Sequence, residues 1–491
     1  AMSAEALLLI AIGAPFARAC AAAALARPPG LRDSVNVALA LAQAWAALRL
    51  VGAAAAGEVA PVVLARPLPD VSFALALEPV GVVIAATIGV LSAAHAVHTA
   101  GFLRATQDPA PARMMAFTAL ASLTATGVAL ASNLFTLFIF HQALILSSMP
   151  LAAHAGDAAG RRAARLYLTI LYASSLGLLL PAIVWTYAIT GELTFQAGGV
   201  LSQASPAAAN VLLALFTLGY ATLALPPLHR WLAATAGSSF PAIGAAQGLA
   251  LAPAGAAALL KTALYIFGPA MKTAAFAAHV LLALAALTMV LAAVQALGKQ
   301  DIRERLCYSA IAQLAAVTAG VMIAAPASYY AAILQVIAHS VAALAMIMAF
   351  ANVYAATART AVVEMHGLGR LMPWTFAGVA VGAASLVGLP PLAGAWPKLW
   401  LMTASAEATQ PSLIWAGGLA ALSVIAAFAY LAPLAANALV GAAPPNPFHR
   451  PDRAALTLIV PVVALAAAAL ALIAIVNPLY QFLAPIWGAA S

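Results

Sequence analysis

Apolar runs of about 20 residues, each closed by charge, Pro or Gly, recur along the whole chain. They place spans near residues 5–25, 34–55, 78–102, 112–131, 133–153, 163–190 and 207–236, and further spans near 241–268, 272–298, 304–325, 328–356, 372–407, 411–441 and 454–486. A helix rising 1.5 Å per residue crosses a hydrocarbon core of about 30 Å in runs of that length, whereas barrel strands would be about ten residues long and alternate in polarity. The pattern therefore predicts an all-α polytopic membrane protein with about fourteen transmembrane helices. The rhythm fails once. Gly57 to Phe73 mixes Val, Pro, Arg and Asp, is too polar to span, and reads as an external loop or hairpin. The first run has no basic segment before it and is expected to be a retained helix rather than a cleaved signal.

Two of these spans carry the same four residues, Leu225-Pro226-Pro227-Leu228 and Leu389-Pro390-Pro391-Leu392. A double proline removes two amide donors and clashes with the preceding turn, so each span is expected to break into two half-helices. Such breaks persist in hydrocarbon only where protein or water satisfies the freed carbonyls. Paired interruptions at corresponding places point to an internally duplicated transporter with its pathway at the breaks.

Composition agrees with a membrane protein. The chain is 65% hydrophobic and 7% charged with a mean hydropathy of +1.03, where a soluble globule carries about 25% charge. The net charge of +8 raises the question of nucleic acid, but most of the basic residues are scattered singly over loops, and these loop charges alternate. Loops after odd-numbered spans hold fifteen Lys and Arg, from Arg27 to Arg453, while the others hold only Arg66 and Lys272 beside Glu58, Asp70, Glu192 and Glu407. This asymmetry predicts a bacterial-type cell membrane location with both termini on the non-cytoplasmic side, and no nucleic-acid partner. There is no Gly-rich phosphate loop and no soluble catalytic domain, so the chain is not expected to be catalytic alone. Cys20 and Cys307 lie far apart without CxxC or Cys/His spacing, which predicts neither a bound metal nor a cofactor.

Ionisable residues inside spans are few. Lys261 lies in the eighth span, and Lys398 lies seven residues past Pro391, roughly 10 Å beyond the break. His141 and His339 fall near the middles of the fifth and eleventh spans, and His95, His98 and His279 also sit in apolar stretches. A charge at a helix centre costs about 2.5–3.5 kcal/mol on insertion scales, so one that remains marks a path or a partner unless its stem snorkels to the interface. A buried lysine whose pKa falls, or a histidine, can take up and release protons near neutral pH, although a lone histidine is more often a packing residue. Every Asp and Glu falls in a loop or at a helix end, including Glu78 at the start of the third span. With no internal carboxylate expected, protons are favoured over metal ions as cargo.

Several motifs together resemble the antiporter-like membrane subunits shared by respiratory complex I, membrane-bound hydrogenases and Mrp-type cation/proton antiporters. Leu225-Pro226-Pro227-Leu228-His229-Arg230-Trp231-Leu232 resembles that family's Pro-Leu-His-x-Trp-Leu signature. Leu260-Lys261-Thr262-Ala263-Leu264-Tyr265 is similar to the eighth-helix lysine motif that complex I and Mrp members of the family carry. Asp301-Ile302-Arg303-Glu304-Arg305 with Tyr308-Ser309 and Gln313-Leu314, then His339, then Gly388-Leu389-Pro390-Pro391 with Lys398 follow in the family's order. The resemblance covers about Ala112 to Glu407. It implies three leading helices in 1–111, two inverted five-helix repeats in 112–271 and 272–441, and a last helix in 442–491. It also implies a mid-membrane line of polar groups, sister membrane subunits alongside in the bilayer, and protons crossing by redox drive or in exchange for a monovalent cation.

The chain departs from the family at two positions. Gln142 stands where the fifth helix has a glutamate, and Thr222 is all that the seventh offers in place of a lysine before the break. His141 adjoins Gln142 but points about 100° away on a helix. The first repeat is thus expected to work by an altered mechanism or not to conduct. The leading expectation is a proton-translocating subunit of a complex I-like or Mrp-like assembly, with Lys261, His339 and Lys398 as relay groups. Two alternatives stand beside it: a non-conducting structural or coupling subunit, and the membrane partner of a proton-coupled inorganic-carbon uptake system with a soluble zinc protein.

Overall fold

Backbone amides and carbonyls in hydrocarbon must be satisfied within their own segment, and Ala, Leu and Val supply runs that do so as helices. Several prolines sit in the first turn, where the missing N–H would be unpaired anyway: Pro79, Pro111, Pro206, Pro326 and Pro373 each open a helix, while Pro15, Pro150, Pro433 and Pro461 lie inside one. The computed structural model describes residues 2–490 except 26, 28, 58, 408–413 and 443–454, so Glu58, Arg450 and Arg453 of the loop-charge pattern lie outside the described residues.

Among the described residues, twelve helices are long and apolar enough to cross a membrane. Six precede the first break: α1 (Ala4–Ala24), α2 (Pro29–Ala55), α3 (Pro79–Ala105), α4 (Pro111–Leu130), α5 (Leu134–Ala152) and α6 (Ala158–Thr190). The seventh expected span is broken into α7 (Pro206–Gly219) and the short α8 (Arg230–Ala234). Then come α9 (Phe240–Phe267), α10 (Ala275–Leu297), α11 (Ile302–Ile323) and α12 (Pro326–Thr357). The twelfth expected span is broken into α13 (Pro373–Val387) and α14 (Ala395–Glu407), before α15 (Ile414–Leu439) and α16 (Leu456–Ile486). Both double prolines lie in the gaps, with cis Pro226–Pro227 and Pro390–Pro391 bonds.

Burial divides the bundle into an axis and a lipid-facing rim. Helices α9, α11 and α12 are enclosed around nearly their whole circumference, whereas α10 presents Phe276, Val280, Leu287, Leu291 and Val294 outward. The polar Gly57–Phe73 segment forms an antiparallel hairpin of β1 (Val62–Leu68) and β2 (Val71–Leu75). Its second strand is stitched to the α4–α5 turn, with Ser132 N donating to Ala74 O at 3.0 Å and Ala76 N to Leu130 O at 2.8 Å. The same turn holds the loop after α6 through Phe195 N to Ser132 O at 3.0 Å, and that loop holds the end of α9 through Val200 N to Ile266 O at 2.9 Å. The hairpin end is therefore one hydrogen-bonded plate, and α9 reaches it through a π-helical turn at Thr262–Phe267.

Candidate functional site

At the second break, α13 stops at Val387 and leaves its last carbonyls without helical partners. Lys398, one turn into α14, points back and donates from Nζ to Leu386 O and to Val387 O, the latter at 2.8 Å. Leu386 O also accepts from Gln313 Nε2 at 3.0 Å on α11, and Gln335 Nε2 of α12 donates to Gln313 Oε1 at 2.8 Å. One turn along α12, buried His339 lies within electrostatic reach of Lys398 and near the Gln247 backbone. Three helices thus converge on one wholly internal cluster of a lysine, a histidine and two amides. Its geometry depends on Gly394: a Cβ there would stand 1.7 Å from Ser385 O. Gly394→Ala should push α14 off α13 and separate Lys398 from its carbonyls, costing about 1–3 kcal/mol as overpacking does, visible as a lower melting temperature in detergent.

Lys261 is wholly buried, so it does not snorkel. Its Nζ donates to Ala129 O at 2.7 Å and Ala131 O at 2.6 Å, the free carbonyls at the end of α4, and lies 4.8 Å from the centroid of the Phe195 ring. It also forms an ion pair with Glu78 Oε1 at 2.9 Å, while Glu78 Oε2 caps α3 by accepting from Val80 N at 3.0 Å. This corrects the expectation of no internal carboxylate. Glu78 does start a helix, but strand β2 feeds that start against the α4–α5 turn, and the carboxylate meets Lys261 six residues below the end of α9, about 9 Å in. Tyr265, one turn on, stands beside the same carboxylate.

In the first half, neutral groups occupy the places of the missing charges. Gln142 Nε2 donates to Ser175 Oγ at 2.5 Å, and Ser175 Oγ lies 3.4 Å from His141 Nδ1. His141 meets Tyr220 edge-on at 6.1 Å between centroids, and the Tyr220 hydroxyl pairs with Thr262 Oγ1 at 2.8 Å, next in sequence to Lys261. Thr222 Oγ1 is buried without a hydrogen-bond partner among the described residues and stands 2.4 Å from where a Cβ on Gly255 would be, so α9 packs closely against it. At this break the carbonyl of Ala221 accepts from the Trp231 indole at 2.7 Å, the task that Lys398 performs at the other.

Other histidines are held in packing contacts. His95 Nε2 is 2.9 Å from Pro241 O, His98 Nε2 is 2.8 Å from Asn352 Oδ1, and His279 Nδ1 is 2.5 Å from Ala275 O. Among the described residues, no group of His, Cys, Asp or Glu is placed to hold a metal ion. Sequence reasoning passed over Gln247, on a π-helical turn of α9, whose backbone lies near His339 and whose side chain donates to Cys307 Sγ at 3.3 Å. A glutamine in an alanine-rich run was its one visible signal.

Residues 131–423 match the model of the family described as NADH:quinone oxidoreductase/Mrp antiporter, TM. The chain belongs to this family. A Na(+)/H(+) antiporter subunit of Alkalihalophilus pseudofirmus is 28% identical over 284 residues, 57% of this chain and 56% of that protein. An NADH-quinone oxidoreductase subunit of Desulforudis audaxviator is 28% identical over 292 residues, 59% and 58%. The match thus spans little more than half the length of these two curated relatives. Whole-chain likeness comes from solved structures: a chain of the Mrp complex from Dietzia sp. DQ12-45-1b at a TM-score of 0.85 and 23% identity covers 100% of this chain and 97% of its own. A chain of respiratory complex I from Thermus thermophilus with bound NADH gives 0.84 and 20%, with 99% of each covered. Within the NADH:quinone oxidoreductase/Mrp antiporter family, then, this chain is a multi-pass helical membrane protein with the full antiporter-subunit fold.

Proposed function

We propose that this chain is a proton-translocating, antiporter-like subunit of a multi-subunit membrane complex of the complex I or Mrp kind. Lys398 and His339 form its main relay, and Lys261 with Glu78 forms a second charged station. The observation that carries this reading is the convergence of Lys398, His339, Gln313 and Gln335 on a helix break inside an enclosed axis. A buried lysine held only by carbonyl dipoles can hand on a proton without leaving a carboxylate behind. We further read the chain as fourteen crossings with both termini on the non-cytoplasmic side, and as two repeats, 112–271 and 272–441, between three leading helices and a last one.

One observation favours a second reading, a coupling subunit that no longer conducts: the first half has Gln142 and Thr222 in place of charges, with Gln142 paired to Ser175. Purification in mild detergent, identification of co-purifying chains by mass spectrometry, and proton flux of the reconstituted assembly separate the readings. The expected result is co-purification of sister membrane subunits, with flux lost in the Lys261→Ala/Lys398→Ala double variant. Unchanged flux in that variant favours the coupling role, and co-purification of a soluble zinc protein instead of sister subunits favours inorganic-carbon uptake.

A further inference from the structure

Outside the relay clusters, the leading helices hold a buried cation with no counter-charge among the described residues. Arg18 of α1 is 1% exposed, and its guanidinium donates to Asn36 Oδ1 at 3.2 Å, Gln43 Oε1 at 3.4 Å and Ser92 Oγ at 2.7 Å. Among the described residues, other buried cations are answered differently: Arg32 by Asp33, Lys261 by Glu78, and Arg305 and Lys398 by backbone carbonyls. Arg18 has only neutral side chains. An apolar residue there would fill the place without desolvating a charge, so the charge itself calls for an explanation.

Its position supplies one. Gln43 Nε2 donates to Ser122 Oγ at 2.8 Å and Thr126 Oγ1 at 3.3 Å, and Thr126 lies one turn from Ala129, whose carbonyl holds Lys261. In the other direction, His95 lies one turn from Ser92 within electrostatic reach of Arg18 and pairs with Thr99 at 3.1 Å. His98, on the same stretch of α3, pairs with Asn352 near the far end of α12. A small, mainly apolar cavity lies between the two histidines, walled by Phe240, Leu344, Ile347 and Met348. Hydroxyls, amides and imidazoles thus line up in separate hydrogen-bonded stretches, about one helical turn apart, from near the Lys261 station toward the end of the bundle away from the hairpin, with the Arg18 cluster between them. Groups of this kind pass protons, and a fixed guanidinium in a narrow polar path repels them.

We propose that Arg18 is an electrostatic barrier that keeps protons off this side track and confines them to the relay axis; this rests on the proton-conducting function proposed above. The test is passive proton leak of the purified complex in liposomes, followed with an internal pH dye under an imposed potassium diffusion potential. Arg18→Gln keeps hydrogen-bonding capacity but removes the charge, and should raise the leak about tenfold over the native complex. Gln43→Glu keeps Arg18 and supplies a counter-charge, so it should raise the leak in the same direction and serves if the first variant fails to fold. Arg18→Lys should stay near the native leak, and adding His98→Phe to Arg18→Gln should reduce the leak again. Native leak in a folded Arg18→Gln or Gln43→Glu complex overturns the barrier, even where Lys398→Ala still stops driven flux. A raised leak beside undiminished driven flux in Lys398→Ala keeps the barrier and overturns the relay.

Discussion

Lys398→Ala should lower driven proton flux through the reconstituted complex by about tenfold or more, the largest loss expected for a single relay position. The lysine has two tasks that alanine removes together: it carries a proton, and it satisfies the carbonyls of Leu386 and Val387 at the end of α13. Lys398→Arg separates them. A guanidinium can still donate to both carbonyls but stays protonated at any working pH, so the melting temperature should hold while flux falls nearly as far as in the alanine variant. Native flux in Lys398→Arg would reduce Lys398 to a helix cap. His339 offers an independent check. It lies within electrostatic reach of Lys398 and makes no side-chain hydrogen bond among the described residues, so His339→Gln should slow flux with little change in melting temperature.

How far the sequence could foresee this depends on the range of each interaction. The helices were legible because hydrocarbon forces every span to satisfy its own backbone, and the breaks because a double proline cannot stay in a helix. Lys398 was legible for the same local reason, since it stands seven residues beyond Pro391 on the half-helix that the break creates. Glu78 was not. In sequence it is an acid at a helix start, and only the pairing of β2 with the α4–α5 turn carries it to Lys261, 183 positions away. Arg18 stands in the first predicted span and was legible there as a buried charge by the same criterion as Lys261, although only the structure shows its neutral partners on α2 and α3, whereas Gln247 is a neutral amide in an apolar run and carries no charge signal. The fifth- and seventh-helix departures were visible in sequence, but the close approach of Gly255 to Thr222 required the packing.

That long-range pair sets the largest stability effect. Glu78→Ala leaves Lys261 enclosed with a positive charge, two carbonyls and an aromatic face, and no counter-ion among the described residues. Removing one partner of a buried ion pair typically costs about 3–5 kcal/mol because the other charge stays desolvated. A large fall in melting temperature in detergent is therefore expected for Glu78→Ala, with a smaller one for Glu78→Gln, whose single carbonyl oxygen can either face the ammonium or cap α3 but not both. Adding Lys261→Met to Glu78→Ala should recover much of the loss, since it removes the orphaned charge and keeps the apolar stem, as expected when the penalty lies in desolvation rather than in a missing contact. Failure of the second substitution to recover stability would place the cost in the α3 cap instead. The same double variant bears on flux. It removes the charged station in the first half while leaving Lys398 and His339 untouched, so flux retained by a stable double variant would confine conduction to the second half, where the broken helix still has its lysine.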